Sequence, residues 1–219
     1  MAHVLFKNWF VDFEPFADGK FIDSELGEIP VGWRVGDIYS LMAVIYGAPF
    51  QSSLFNDQRN GYPLIRIRDL KTFSPQFFTT EILPKMEVVT MGDILVGMDA
   101  EFRPCIWQGA VGVLNQRVCK IRSTHNCVCR FFIYETLKPH LELIEHYKTG
   151  TTVSHIGKAD LDKIRILIPP DKVLQAYADI AEPLYLQILN NSNENMHLVE
   201  TRDTLLPRLM SGKLSVVNL

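Results

Sequence analysis

From Asp171 to Gly212 the chain reads as one long helix, and no other stretch constrains the fold as tightly. Gly212 is a C-terminal stop signal. Tyr177, Ala181, Leu184, Ile188, Asn191, Asn195, Leu198, Arg202, Leu205 and Leu209 recur at alternating spacings of four and three. That is the spacing of a coiled-coil seam, here with a polar centre at Asn191, Asn195 and Arg202. Buried Asn at such positions lowers stability but fixes register and partner. At 1.5 Å per residue, 171–212 would span about 63 Å, more than a domain of roughly 140 residues covers. Packing on its own domain fits 171–185 and fits the remainder poorly. Pro183 and Pro207 predict kinks or breaks.

The second informative stretch is Gly92 to Arg130. Gly92-Asp93 is a turn signal, and Ile94-Leu95-Val96 reads as a short buried strand. A further strand is expected over 111–121, after Gly109 and Gly112. Arg103, Arg117, Lys120, Arg122 and Arg130 carry five positive charges, and no Asp or Glu falls between Glu101 and Glu135. Basic residues seated on strands and turns point to a surface that meets phosphates. Asn115-Gln116-Arg117 adds two amides and a guanidinium, which are shaped for bidentate contacts to adenine and guanine edges. A solvated basic strand with ordinary turn polars would read the same way.

The charge balance localises this character. The whole chain of 219 residues has net charge −3. Residues 30–168 nevertheless hold 16 Lys/Arg against 13 Asp/Glu, and both ends are acidic. With 47% hydrophobic and 21% charged residues the chain belongs among folded rather than disordered proteins. No apolar run approaches the roughly 20 residues of a membrane span, and the opening MAHVLFKNWF lacks a continuous apolar signal core. A cytoplasmic location is the expectation. Cys105, Cys119, Cys127 and Cys129 cluster near His125, but Cys127-x-Cys129 lacks the usual ligand gap and a second paired half-site. Buried free thiols are the simpler expectation, and neither metal nor cofactor is expected.

Taken in order, Leu5, Phe6, Trp9, Phe10 and Phe13 form one apolar helical face, stopped by Pro15. Residues 16–33 read as a linker, and 35–45 as a short helix or strand. Gln51, Ser52 and Ser53 lie in a loop rich in hydrogen-bonding side chains. Residues 62–68 alternate apolar and basic, which puts Arg66 and Arg68 on one strand face, flanked by Arg59 and Lys71. Tyr134 to Tyr147 is weakly helical and interrupted by Pro139. Lys148, Thr151, Thr152 and His155 belong to a polar Gly/Thr loop that could approach a phosphate or be plain turn chemistry. Residues 164–168 form a final strand.

Catalytic signatures are missing. Gly157-Lys158 and Gly212-Lys213 lack the other residues of a phosphate-cradling loop. Ile168-Pro169-Pro170-Asp171 has Ile where an amino-methyltransferase needs Asn or Asp. Asp99-x-Glu101-x-Arg103 has Arg where a metal-dependent nuclease would place Lys. The chain reads as a binder without a catalytic centre of its own.

These stretches together resemble the DNA-specificity (S) subunit of type I restriction–modification systems. The matching segments are Ile29-Pro-x-Gly-Trp33, Gly61-Tyr-Pro-Leu-Ile-Arg-Ile67, Gly92-Asp-Ile-Leu-Val-Gly-Met-Asp99, Asn115-Gln-Arg-Val118, Gly150-Thr-Thr-Val153 and Arg202-Asp-x-Leu-Leu-Pro-Arg-Leu-Met-Ser-Gly212. In that family two target-recognition domains alternate with two long helices that pair antiparallel as a ruler. The subunit also docks methyltransferase and restriction/translocase subunits.

This sequence holds one such domain and one complete helix, so it resembles a half-length form. Its opening looks like the connector that follows the first long helix. The resemblance implies a connector-like helix and linker over 1–29, an α/β target-recognition domain over 30–170, and a coiled-coil arm over 171–219. It implies double-stranded DNA, the methyltransferase and restriction subunits, and a second copy of the chain as partners. The alternatives are a coiled-coil adaptor, or a fragment of a DNA methyltransferase or nuclease. Which bases are read does not follow from sequence, because no residue-to-base code exists for such loops.

Overall fold

The chain is described by a computed structural model covering residues 2–148 and 155–213. In chain order it runs α1 (Ala2–Phe10), β1 (Phe21–Ser24), β2 (Gly27–Pro30), β3 (Arg34–Asp37), β4 (Met42–Tyr46), β5 (Phe55–Asn56), β6 (Tyr62–Ile65), β7 (Phe78–Thr79) and β8 (Val88–Val89). It continues with β9 (Ile94–Gly97), β10 (Pro104–Ile106), β11 (Gly112–Leu114), β12 (Val118–Ser123), α2 (Arg130–Lys148), α3 (Lys158–Leu161), β13 (Arg165–Ile168) and α4 (Asp171–Met210).

The strand β9 shows how the layers stack. All four of its residues are buried, as an unbroken Ile-Leu-Val run requires of a strand covered on both faces. Ile94 and Val96 point into the largest core, beneath the helices. Leu95 points the other way, joining Trp107, Leu114 and Val118 in a second core. The sheet carrying it is antiparallel, in the order β10-β9-β12-β4. A second sheet, β5-β7-β6-β11-β8, includes one parallel pair, β6 with β11. The domain is thus a helical layer, a central sheet and an outer sheet. This is the expected α/β domain followed by a long C-terminal helix.

Several local expectations are corrected. Residues 16–33 are not a linker throughout: β1 and β2 pair as a hairpin, and Ile29 and Trp33 are buried in the main core. α1 seats in that same core, with Phe10 packed edge-on against Tyr177 at 4.8 Å and Phe132 at 5.0 Å between ring centroids. The stretch 35–45 resolves into β3, a 3-10 turn and β4. The strand expected over 111–121 is two strands, because Gln116 and Arg117 form a turn between β11 and β12. Pro139 does not interrupt α2, which buries Phe131, Phe132, Ile133 and Leu137 before the proline and Leu141 after it. Apolar burial on both sides of the proline outweighs the one lost backbone bond.

Neither Pro183 nor Pro207 breaks α4, which is one helix of 40 residues. Around Pro183 the reason is again packing. Leu174, Tyr177, Ala181, Tyr185 and Leu189 are buried against the domain at spacings of three and four that bracket the proline, with Ala178 beside them. Packing therefore reaches beyond 185. Its last side-chain bond to the domain joins Ser192 Oγ to Gln108 Oε1 at 2.5 Å. From residue 193 onward every described residue is exposed, so 193–210 extends about 27 Å as a free arm at 1.5 Å per residue.

Candidate nucleic-acid interface

Several segments that carry expected binding residues adjoin the Gln116–Arg117 turn. Just before it, β11 runs parallel to β6, and the Asn115 N–H donates to the Ile65 carbonyl at 3.0 Å. On its other side the Ala48 N–H donates to the Leu114 carbonyl at 2.9 Å, which sets the start of the 48–53 loop beside it. Gly47 is required at this approach, since a Cβ there would lie 2.1 Å from the Asn115 carbonyl oxygen. The Met98 N–H donates to the Arg117 carbonyl at 2.9 Å, and the Ile156 N–H donates to the Met98 carbonyl at 2.9 Å. Three segments that are distant in sequence therefore adjoin one turn.

Gln116 and Arg117 are exposed at the tip, whereas the Asn115 side chain is buried among the strands and does not reach solvent as expected. Gln51, Ser52 and Ser53 are exposed on a 3-10 turn. The Gln51 N–H donates to Glu81 Oε2 at 2.8 Å. Arg59 and Arg68 are exposed and carry no ion pair among the described residues. Lys71 pairs with Glu101 at 2.8 Å and Arg103 with Glu145 at 3.8 Å. Both cations are solvent-exposed, where such pairs are worth about 0–1 kcal/mol, so a phosphate can displace the carboxylate. Thr151 and Thr152 lie outside the described residues.

Three expected contact residues are held by the fold instead. Lys120 is buried. Its Nζ donates to the Val88 carbonyl at 2.9 Å, pairs closely with Glu87 and lies 3.6 Å from Asp93. A lysine buried this deeply needs such partners, and they hold it away from any ligand. Arg66 does not share a strand face with Arg68, because β6 ends at Ile65 and Arg66 precedes a 3-10 turn. Its backbone N–H donates to Asp69 Oδ2 at 2.9 Å, and its guanidinium lies 4.3 Å from the Phe77 ring centre. Lys148 donates to the His155 carbonyl at 2.8 Å and to Asp160 Oδ2 at 2.9 Å, so it ties the end of α2 to His155 and α3.

Sequence reasoning missed Asp99. Its carboxylate accepts from His155 Nδ1 at 2.6 Å and faces Arg117 Nε at 3.6 Å. Its position at the end of the Gly92–Asp99 motif was the available signal.

The cysteines are free, and burial pushes Cys119 up to about 12 and Cys105 and Cys129 up to about 11. Such thiols are protonated and poor nucleophiles. Among the described residues no group of three or more His, Cys, Asp or Glu could hold a metal, and no helix is long and apolar enough to cross a membrane.

On the arm, Leu184 is corrected: it packs partly against its own domain. Ile188, Asn191, Asn195, Leu198, Arg202, Leu205 and Leu209 are exposed.

The fold and the site define a layered α/β module with a loop-built face and a projecting helix. A match to the family described as type I restriction modification DNA specificity domain covers residues 30–198. The chain belongs to that family. It is 30% identical to the type I restriction enzyme MjaIX specificity subunit of Methanocaldococcus jannaschii, across 100% of this chain and 53% of that protein. It is 32% identical to the EcoBI specificity subunit of Escherichia coli, across 71% of this chain and 33% of that one. The chain therefore spans about half the length, or less, of these curated relatives. Among solved structures, the HsdS subunit from Thermoanaerobacter tengcongensis shares the fold at TM-score 0.56 and 17% identity, covering 97% of this chain and 50% of that one. The S subunit from M. genitalium does so at TM-score 0.53 and 19% identity, covering 82% and 46%.

Proposed function

We propose that this chain is a non-catalytic DNA-recognition subunit of a type I restriction–modification complex, reading one half of a bipartite target. The observation that carries the proposal is the alignment of the whole chain with about half of a specificity subunit, joined to one layered domain and one long helix. The loops around the Gln116–Arg117 turn supply the reading face. Arg59, Arg68, Lys71 and Arg103 contact phosphate, and Gln51, Ser52, Ser53, Gln116 and Arg117 are placed for base edges or sugar–phosphate oxygens.

The arm supplies assembly. Leu198, Leu205 and Leu209 stand exposed on one seam, a surface that single soluble chains rarely leave uncovered. A second copy covers it in an antiparallel, two-fold pair, with Asn191 and Asn195 near the crossing. Two identical domains facing opposite ways read an interrupted palindrome. The paired chains dock the methyltransferase and restriction subunits, and the complex works in a prokaryotic cytoplasm.

Mapping methylated adenines in DNA from the source cell tests this reading. A motif made of two inverted half-sites around a fixed gap is the expected result. If deleting the coding sequence removes no methylation motif, the reading fails.

A further inference from the structure

Asp99 joins two segments that the DNA reading assigns to the same face. Its Oδ1 accepts from His155 Nδ1 at 2.6 Å, and its Oδ2 lies 3.6 Å from Arg117 Nε. His155 in turn has its carbonyl bound by Lys148 Nζ at 2.8 Å, and Lys148 is anchored on Asp160 at 2.9 Å. One continuous chain of polar contacts thus runs from Asp160 through Lys148, His155 and Asp99 to Arg117. It crosses from the end of α2 to the turn between β11 and β12.

We propose that Asp99 is a positioning residue for target discrimination, holding Arg117 and His155 in a shared orientation toward the DNA. The inference rests on the DNA-recognition reading above. A carboxylate accepts hydrogen bonds, so Nδ1 is the protonated ring nitrogen of His155, and Nε2 is left to meet a base edge or a phosphate. Arg117 turns its Nε toward Asp99, which leaves both terminal nitrogens for a bidentate contact to guanine or phosphate. Over half of the Arg117 side chain is solvent-exposed. An arginine this exposed visits many rotamers when nothing holds it, and fixing it beforehand removes that entropy cost from binding.

The geometry separates this role from a merely structural one. The backbone of 98–99 is bonded on both sides without its side chain: Met98 N–H to the Arg117 carbonyl, Ile156 N–H to the Met98 carbonyl, and an antiparallel bridge between Asp99 and His155. Removing the carboxylate therefore leaves the ladder in place. Charge alone predicts the opposite sign from positioning. Deleting a negative charge on a phosphate-facing surface should strengthen binding to any duplex.

The experiment uses the full chain together with the methyltransferase subunits it assembles with, and a random-sequence duplex pool as the probe. The wild-type complex selects a motif from the pool. Asp99→Ala keeps its melting temperature and binds unselected duplex at least as tightly as the wild type, but binds the motif about tenfold or more weakly. Asp99→Asn, which retains an acceptor for His155, recovers most of the discrimination. Adding His155→Ala to Asp99→Ala costs less than the sum of the two single losses. If Asp99→Ala selects the same motif with equal or higher affinity while Arg117→Ala loses it, positioning is overturned and the DNA reading stands. If the wild-type complex selects no motif at all, both are overturned.

Discussion

The Tyr185 hydroxyl donates to the Gly92 carbonyl at 2.6 Å, fastening the middle of the long helix to the turn that opens β9. Arg130 reinforces this point. It lies 4.7 Å from the Tyr185 ring centre and donates from Nε to Glu182 at 2.9 Å. The stability of the helix seat and the integrity of the sheet are therefore coupled. Tyr185→Phe should cost about 1–2 kcal/mol, because the buried carbonyl loses its donor. Gly92→Ala should cost at least as much. Gly92 has φ +90°, and an added Cβ would lie 2.7 Å from Leu189 Cδ1. Urea unfolding of the two variants measures both, and an unchanged midpoint for either would remove this account of the seat.

The cations separate into two behaviours. Arg68→Ala and Arg103→Ala should each reduce the slope of log affinity on log salt by about one, as loss of one phosphate contact does. Lys120→Ala should instead destabilise by about 1–2 kcal/mol, emptying a buried site and leaving the half-buried Glu87 and Asp93 without their cation. The DNA affinity of its folded fraction should be unchanged. Salt titrations and denaturant melts run on the same preparations distinguish the two groups.

Burial holds His140 below its ordinary value of 6.5. As pH falls, the unfolded chain takes up this proton first. The stability associated with neutral His140 is therefore complete above 6.5 and is lost as pH drops toward the depressed folded value. Between about pH 7.5 and about pH 5.5, the wild-type unfolding midpoint should fall more steeply than that of His140→Gln. Parallel slopes for the two proteins would contradict the assignment.

The arm predicts an oligomer. Purified chain should sediment as a dimer at micromolar concentration, and Leu198→Asp should give monomers with an unchanged domain melt. Asn191→Leu should keep or raise stability while loosening orientation, since a buried amide exchanges stability for register. A clean monomer in the wild type would mean that other subunits cover the seam.

What the sequence determined by itself was whatever depends on neighbours along the chain. The arm was legible because helical period is local, and the buried β9 was legible because Ile94-Leu95-Val96 is continuous and aliphatic. The family motifs were legible for the same reason. The prolines misled, since their local cost is real but apolar burial around Pro139 and Pro183 exceeds it. The tertiary structure alone decided which cations are available. Lys120 and Arg117 lie three positions apart and look alike in sequence, yet one is enclosed by Glu87, Val88 and Asp93 while the other stands at a turn tip. It also decided that Asp99 meets His155 across 56 positions. Such pairings follow from sheet register and from which face each strand turns to the core, and neither is written in the spacing of residues along a single segment.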